Sequence, residues 1–522
     1  MTNRNNNAIQ AGSKVAFNTF AMYTKVVITV GVTLYSTRII LNELGEDDFG
    51  AFNLIAGVVG MLAFFNGAVC VSIQRYMSQA MGMNDKERFY DIFRISVRLG
   101  FLLGILMVIV IETLVFFFFD QLNIAPDRIF ASKMVLHCIV LSTFFSIISI
   151  PYEANIFAHE DMFLISLIFI LESFLKLGVA IYLIYSPFDK LIVYGLLIAA
   201  IYMNSTVLKR FYCRYKYDEH KVKIKKKQDR RFFVEIAKFA GWTSVEPLSR
   251  ILSTQVIAVI LNLFGGTVVN AAYGIANQVN GQMVYFSSTF LSAINPQIMK
   301  SEGQSDRERT VRLSLLACKI SFLLLSFFTI PLIIEMPYVL DLWLKNVPGN
   351  TVLFCRIILF STLISQLTYG LQSGIQAVGR IRNYQMISGI IKLLVLLVTF
   401  ILFKSGWALH IVIFTFIFVE VINLVIRSQF AIHLLGINGK RLFIDVLLKP
   451  VLAFLIIFAL SQLSVYIVAD GFIRLMTTTA LSSFTLLLAI KFIILNKDEY
   501  QKVKNIWLDF IKRIRDMLHL NK

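Results

Sequence analysis

The stretch Ala237-Lys238-Phe239-Ala240-Gly241-Trp242-Thr243 opens an apolar run, and it echoes Ser13-Lys14-Val15-Ala16-Phe17-Asn18-Thr19 near the N-terminus. The two runs also end alike, at Leu261-Asn262 and Leu41-Asn42. The helices that follow start with Tyr273-Gly274-Ile275-Ala276-Asn277 and Phe49-Gly50-Ala51-Phe52-Asn53. The loops after those read Gly303-Gln304-Ser305-Asp306-Arg307-Glu308-Arg309 and Gly82-Met83-Asn84-Asp85-Lys86-Glu87-Arg88. No single pair is decisive. Their common order and similar spacing identify an internal repeat.

What is repeated is decided by composition. Of 522 residues, 57% are hydrophobic and 16% charged, against roughly 45–50% and about 25% in a soluble domain. Mean hydropathy is +0.72. Only 9 prolines and 27 glycines occur, which excludes fibrous and disordered classes. A membrane-crossing helix needs roughly 20 apolar residues. By that rule the spans fall near 14–41, 49–73, 91–119, 131–150, 161–186, 190–212, 233–263, 269–298, 310–335, 351–378, 384–404, 407–430, 443–468 and 472–495. The alternating segments of a β-barrel, about ten residues each, do not occur. The sequence therefore predicts an all-α integral membrane protein with about 14 transmembrane helices. They form two pseudo-symmetric six-helix bundles, 1–212 and 233–435. A basic cytoplasmic linker, 213–232, joins them; two additional transmembrane helices, 436–496, and an amphipathic cytoplasmic tail, 497–522, follow. With six spans per repeat, both repeats start on the same side, so they are parallel, as in alternating-access transporters. That architecture places a site between the bundles, lined by their leading helices.

Charge sets the expected orientation. With the N-terminus inside, the inward ends hold Arg75, Lys86, Arg88, Arg94, Arg98, the run Lys209 to Lys238, Lys300, Arg307, Arg309, Arg312, Arg380, Arg382, Arg427, Lys440, Arg441, Lys449 and the tail. The outward loops hold few basic residues, and Glu43–Asp48 is acidic. One segment read as an inward loop, Pro151 to Asp161, dissents with Glu153, Glu160 and Asp161. Met1 to Gln10 lacks the features of a signal peptide, so the first apolar run is expected to be a permanent helix. In the tail, Val503, Ile506, Trp507, Phe510, Ile511, Ile514, Met517 and Leu518 make one apolar face among lysines and arginines, the pattern of an interfacial helix.

An ionised group inside the bilayer is costly and calls for an explanation. In the first span Lys14, Asn18, Lys25, Thr29 and Ser36 fall within about 60° of one another at about 100° per residue. In the seventh, Thr243, Glu246, Arg250, Ser253 and Thr254 share an arc, with Glu246 and Arg250 spaced to pair. In the eighth, Asn270, Gly274, Asn277, Gly281, Ser288, Ser292 and Asn295 line one face. In the second, Asn53, Gly57, Gly60 and Gly67 do so. The small residues of these last two faces read first as helix-packing surfaces. Glu172 with Lys176, and Glu420 with Asn423 and Arg427, read equally as structural ion pairs or caps. Lys25 and Arg250 lie deep inside spans and are the candidates to line a water-filled cavity, with Glu246, Asn18, Asn277 and Lys14 beside them.

Other chemistries have weak support. The five cysteines form no CxxC pair and read as helix-packing residues. None of the six histidines has a partner at metal spacing. Gly265-Gly266 reads as a turn rather than a phosphate loop. Glu46-Asp47-Asp48 would face outward, away from cytosolic nucleotide sugars, which disfavours a metal-dependent glycosyltransferase. The large outward loop of a polysaccharide polymerase is missing. The net charge of +18 sits at helix ends and points to membrane lipids, not nucleic acid. No catalytic residue, metal or cofactor is expected.

At this point the residues carry a resemblance. The twofold six-helix repeat plus two helices is similar to the polysaccharide flippase branch of the multidrug/oligosaccharidyl-lipid/polysaccharide exporter superfamily. Ala272-Tyr273-Gly274-Ile275-Ala276-Asn277-Gln278-Val279 resembles that family's eighth-helix start. Leu342-Trp343-Leu344 resembles its outward tryptophan motif, although Lys345 stands where the family usually has Gly. Gln376-Ala377-Val378-Gly379-Arg380-Ile381-Arg382-Asn383-Tyr384-Gln385 resembles its loop after the tenth helix. The resemblance implies an inner-membrane protein moving an undecaprenyl-diphosphate-linked oligosaccharide outward, for O-antigen, capsule or exopolysaccharide assembly. It also implies a polysaccharide polymerase or chain-length regulator as partner, and leaves proton or sodium coupling open. Lipid II flippases are the nearest alternative. Multidrug exporters follow, but they usually have about twelve spans and an acid in the membrane, where the first span here offers Lys25. A glycosyltransferase or polymerase is the enzyme-class alternative.

Overall fold

The computed structural model describes residues 2–60, 64–118, 126–217, 230–344 and 347–494; side chains of residues 1–16, of several positions between 34 and 64, and of 114, 115, 118 and 230–232 lie outside the described set. Residues 218–229 of the basic linker lie outside these residues, and the amphipathic tail entirely so. Every regular element among the described residues is helical. That follows from long apolar runs, because in hydrocarbon a chain must satisfy its own backbone N–H and C=O groups. In chain order the helices are α1 (Thr2–Gly60), α2 (Phe64–Gly82), α3 (Lys86–Phe118), α4 (Ile129–Ala158), α5 (Met162–Tyr185), α6 (Lys190–Lys216), α7 (Arg230–Gly303), α8 (Arg307–Ile334) and α9 (Met336–Leu344). They continue with α10 (Thr351–Leu367), α11 (Tyr369–Val378), α12 (Arg382–Lys404), α13 (Leu409–Leu435), α14 (Gly439–Leu442), α15 (Lys449–Ile467) and α16 (Phe472–Ala489).

Eleven of these segments are long and apolar enough to cross a membrane, or twelve if α10 and α11 form one span bent by 42°. The chain is a multi-pass membrane protein. The difference from fourteen has two sources. Phe233–Gly303 is 71 residues long and breaks at Gly266, so it holds the seventh and eighth spans in one helical run. The second span includes residues 61–63, which lie outside the described residues.

The repeat is visible in the backbone. α1 breaks at Gly45 with φ 77° and ψ 170°, and α7 breaks at Gly266 with φ 76° and ψ −177°. That backbone region is open essentially to glycine alone, so Gly266 is a helix break rather than a turn. The loops after α2 and α7 match bond for bond. Met83, Asn84 and Asp85 donate their N–H groups to Gln79, Met81 and Ala80, and Gln304, Ser305 and Asp306 donate to Lys300, Glu302 and Ser301. Asn84 and Ser305 both take a positive φ. Asp85 and Asp306 then accept from the backbone N–H of Arg88 and Arg309, capping α3 and α8.

Two compact units result, residues 20–244 and residues 1–19 with 245–522. They are called here the N-terminal and C-terminal units. In the N-terminal unit α4 does not stop at Pro151, as the sequence suggested, but runs on to Ala158. The proline ring lies against Gly100 of α3, whose missing side chain makes room for it. Glu153 is thereby a helix residue and not a loop residue. On the side read as outward, Arg128 forks to Asp48 and Asp189, the latter at 2.8 Å, and Lys190 reaches Glu43 at 2.7 Å. Asp48, part of the acidic cluster weighed as a metal site, is thus committed to a guanidinium. In the C-terminal unit the two added spans, α15 and α16, pack beside α8. Arg474 there forks onto the fully buried Glu335, which also accepts from Thr478 at 2.9 Å.

Candidate functional site

Each unit encloses a cluster of ionised side chains. In the N-terminal unit, Lys25 of α1 is only 6% exposed. Its ammonium lies 4.7 Å from the centre of the Phe169 ring, and that of Lys209, from α6, lies 5.0 Å from the same ring. One aromatic ring is therefore shared by two cations, a favourable contact where water is excluded. Lys209 pairs with Glu153 of α4 at 3.0 Å. Glu172 of α5 accepts a hydrogen bond from Ser205. The charges of Glu153 and Glu172 act on both lysines, so two cations meet two carboxylates. The expected Glu172–Lys176 pair does not form. Lys176 instead lies over the Tyr202 ring of α6 at 5.0 Å.

In the C-terminal unit, Lys392 of α12 reaches Glu246 of α7 at 3.1 Å and Glu420 of α13 at 3.4 Å. Two contacts set this reach. Gly389, one turn before Lys392, lets α12 approach Ser249 and Val245 so closely that a Cβ there would stand 2.8 Å from the Ser249 hydroxyl. Ser253 donates to the Lys392 carbonyl at 2.6 Å. The expected Glu246–Arg250 pair is replaced: Glu246 points to Lys392, and Arg250 is exposed, acting on Glu246 only through its field. The Glu420–Arg427 pair is replaced as well. Arg427 is buried and donates to the Tyr384 hydroxyl at 2.9 Å, the Ser365 carbonyl at 3.1 Å and the Thr368 hydroxyl at 3.3 Å. It thereby satisfies backbone freed at the break between α10 and α11. Asn423 accepts from Ser388 at 3.0 Å. Three cations, Arg250, Lys392 and Arg427, thus stand with two carboxylates.

The remaining candidates are placed as follows. Asn18 is buried on α1. Asn277 is half-buried and donates to the Tyr273 carbonyl at 2.9 Å. Lys14 lies outside the described side chains. Thr29 and Ser36 turn back to carbonyls of their own helix. Gly274 and Gly281 of the eighth-span face meet nothing within 4 Å, so these glycines do not serve the close helix contact first read there. Lys25 and Arg250 are held in different clusters, one in each unit. Sequence reading missed Lys392, Lys209 and Glu153 as cluster members. Lys209 and Glu153 had been read as loop-end charges. Lys392, an isolated lysine inside an apolar span, carried a signal of its own in the cost of burying it.

With this geometry in view, the fold can be compared with known proteins. Residues 25–184 match the family model described as MatE. No curated protein is matched. Among solved structures, a MATE protein in its bent conformation aligns at a TM-score of 0.71 with 14% identity, covering 82% of this chain and 98% of its own. An outward-facing multidrug resistance MATE family transporter of the MOP superfamily aligns at 0.68 with 15% identity, covering 82% and 95%. A MOP superfamily transporter from Pyrococcus furiosus, described as having a binding pocket of reverse polarity, aligns at 0.69 with 14% identity, covering 83% and 99%. The chain has the MATE transporter fold.

Proposed function

We propose that this chain is a flippase that moves undecaprenyl-diphosphate-linked oligosaccharide units across the inner membrane by alternating access, in the assembly of O-antigen, capsule or exopolysaccharide. One observation carries the reading. Arg250 is an exposed guanidinium in the middle of a spanning segment, and the neighbouring acid that would neutralise it is already held by Lys392. A cation left uncommitted at such a depth is suited to an anionic ligand, and a guanidinium fork matches phosphate oxygens. The MATE fold supports transport, and the sequence resemblance supports a lipid-linked sugar.

In this reading the bundles 1–212 and 233–435 are the moving parts, and the linker, tail and both termini are cytoplasmic. Lys25, Asn18, Lys14, Asn277 and Glu246 line or support the path of the head group, while the isoprenoid tail stays in lipid. A polysaccharide polymerase or chain-length regulator receives the product. A lipid II flippase would use the same diphosphate chemistry. Cation-coupled multidrug export is the second reading, favoured by the fold shared with a multidrug resistance transporter. It would require an available acid, whereas Glu246 and Glu420 are both engaged by Lys392.

The test is to remove the protein from cells and identify the lipid-linked saccharide that accumulates on the cytoplasmic leaflet. An undecaprenyl-diphosphate oligosaccharide supports the proposal. Accumulation of lipid II assigns the alternative substrate. Normal lipid intermediates with raised drug sensitivity overturn the flippase reading.

A further inference from the structure

We propose that Lys392 is a cation built into the chain, closing in the C-terminal unit a two-carboxylate site that would otherwise take a free monovalent cation or a proton. The proposal does not depend on which substrate is carried.

Three helices converge on one ammonium. Lys392 is 8% exposed, and its Nζ stands between Glu246 Oε1 at 3.1 Å and Glu420 Oε1 at 3.4 Å. The other charges that face it are Arg250 from α7 and Arg427 from α13. Neither takes its place. Arg427 spends its donors on Tyr384, Ser365 and Thr368, and Arg250 is exposed. The position of Lys392 is not incidental, since Gly389 brings its helix against α7 and Ser253 holds its backbone carbonyl. Glu420 also keeps a buried second oxygen, Oε2, that receives no donor. The two carboxylates therefore present more acceptor atoms than the ammonium uses, and oxygen atoms are what a small hard cation binds.

The repeat gives this arrangement a counterpart in which the fifth-span charge has the opposite sign. Spans one, five and six carry Lys25, Glu172 and Lys209, while spans seven, eleven and twelve carry Glu246, Lys392 and Glu420. In the N-terminal unit the two lysines meet Glu172 and, from α4, Glu153, which pairs directly with Lys209; in the C-terminal unit Lys392 is set between two acids. Two carboxylates sharing a water-poor site cannot both stay ionised without a positive charge between them. Removing the ammonium must hand that role to a cation from solution or to a proton.

The test uses the purified full-length chain and reads its thermal midpoint at constant ionic strength in sodium, potassium or choline chloride, each at neutral pH and on mild acidification. The wild type and Lys392→Arg are expected to be alike in the three salts. Lys392→Met is expected to melt lower and to regain stability with sodium or with acid, beyond any response of the wild type. Adding Glu420→Gln to Lys392→Met should abolish that response, because one carboxylate remains. A wild type stabilised by sodium over choline overturns the proposal, as does a Lys392→Met protein indifferent to both sodium and acid. If Lys392→Met does not fold, the neutral triple variant Glu246→Gln, Lys392→Met, Glu420→Gln decides. Its folding supports the proposal, and its failure overturns it, because the ammonium would then serve something other than the two acids.

Discussion

At the scale of single residues, a charge in a spanning helix means little until its partners are known. Arg250 and Glu246 sit one helical turn apart and look like a pair, yet Glu246 belongs to Lys392. Replacing Arg250 with Ala therefore strands no buried acid, and the protein should reach the membrane at normal level. If the guanidinium holds the diphosphate, its loss removes a contact worth about 1.5–3 kcal/mol, or roughly 10–150-fold in affinity. The measurement is surface glycan per unit of membrane-inserted protein; unchanged glycan would remove Arg250 from the path. Asp161, at the turn between α4 and α5, is a contrasting case. It accepts from Tyr212 at 2.5 Å and Lys216 at 2.6 Å. Burial works against its ionisation, but these bonds outweigh burial and hold the carboxyl below its ordinary range. Its stabilisation is present above the unfolded value of about 3.9 and is lost as pH falls through the lower folded value. Asp161→Asn should cost about 0.5–1 kcal/mol, because Lys216 is half exposed. The gap in thermal midpoint from wild type should be constant near neutrality and narrow only below about pH 4.

At the scale of elements, breaks in helices are where the fold is decided. Gly266 takes φ 76° and ψ −177° in an open space where a Cβ would meet nothing. Gly266→Ala should therefore destabilise through the backbone alone, by about 1–3 kcal/mol, and Gly45→Ala should behave alike. A thermal midpoint equal to wild type would show that the break can be relaxed without glycine. The break between α10 and α11 is held differently. There Arg427 donates to the Ser365 carbonyl and the Thr368 hydroxyl. Arg427→Met keeps the apolar stem but loses bonds from a charged donor, about 1.5–3 kcal/mol each. It should lower the thermal midpoint and raise hydrogen exchange around 365–369. Unchanged exchange there would refute the capping role.

At the scale of the whole molecule, orientation follows from the placement of lysine and arginine near helix ends. The run Arg214–Arg231 and the tail from Lys497 are expected on the cytoplasmic side. Single cysteines introduced at either place in a cysteine-free background should resist impermeant reagents in intact cells and react after permeabilisation. Labelling of either in intact cells would reverse the topology.

Amphipathic period, apolar length and the echo of Ser13–Thr19 in Ala237–Thr243 determined an all-helical membrane protein with an internal repeat. These are properties of neighbours along the chain, and a bilayer leaves such runs no other structure. The polar stripe of the first span was legible for the same reason, and it led to Lys25. Only the tertiary structure decided the partners of the buried charges. Spacing along α5 and α7 offered Lys176 to Glu172 and Arg250 to Glu246, at the four-residue interval where helix side chains meet. The fold instead brings Ser205 to Glu172 and Lys392 to Glu246, across more than thirty residues in the first case and more than a hundred in the second. In a water-poor interior a charge is stabilised by whichever counter-charge packing brings within reach. That is settled by contacts such as Gly389 against Ser249, which no stretch of sequence displays by itself.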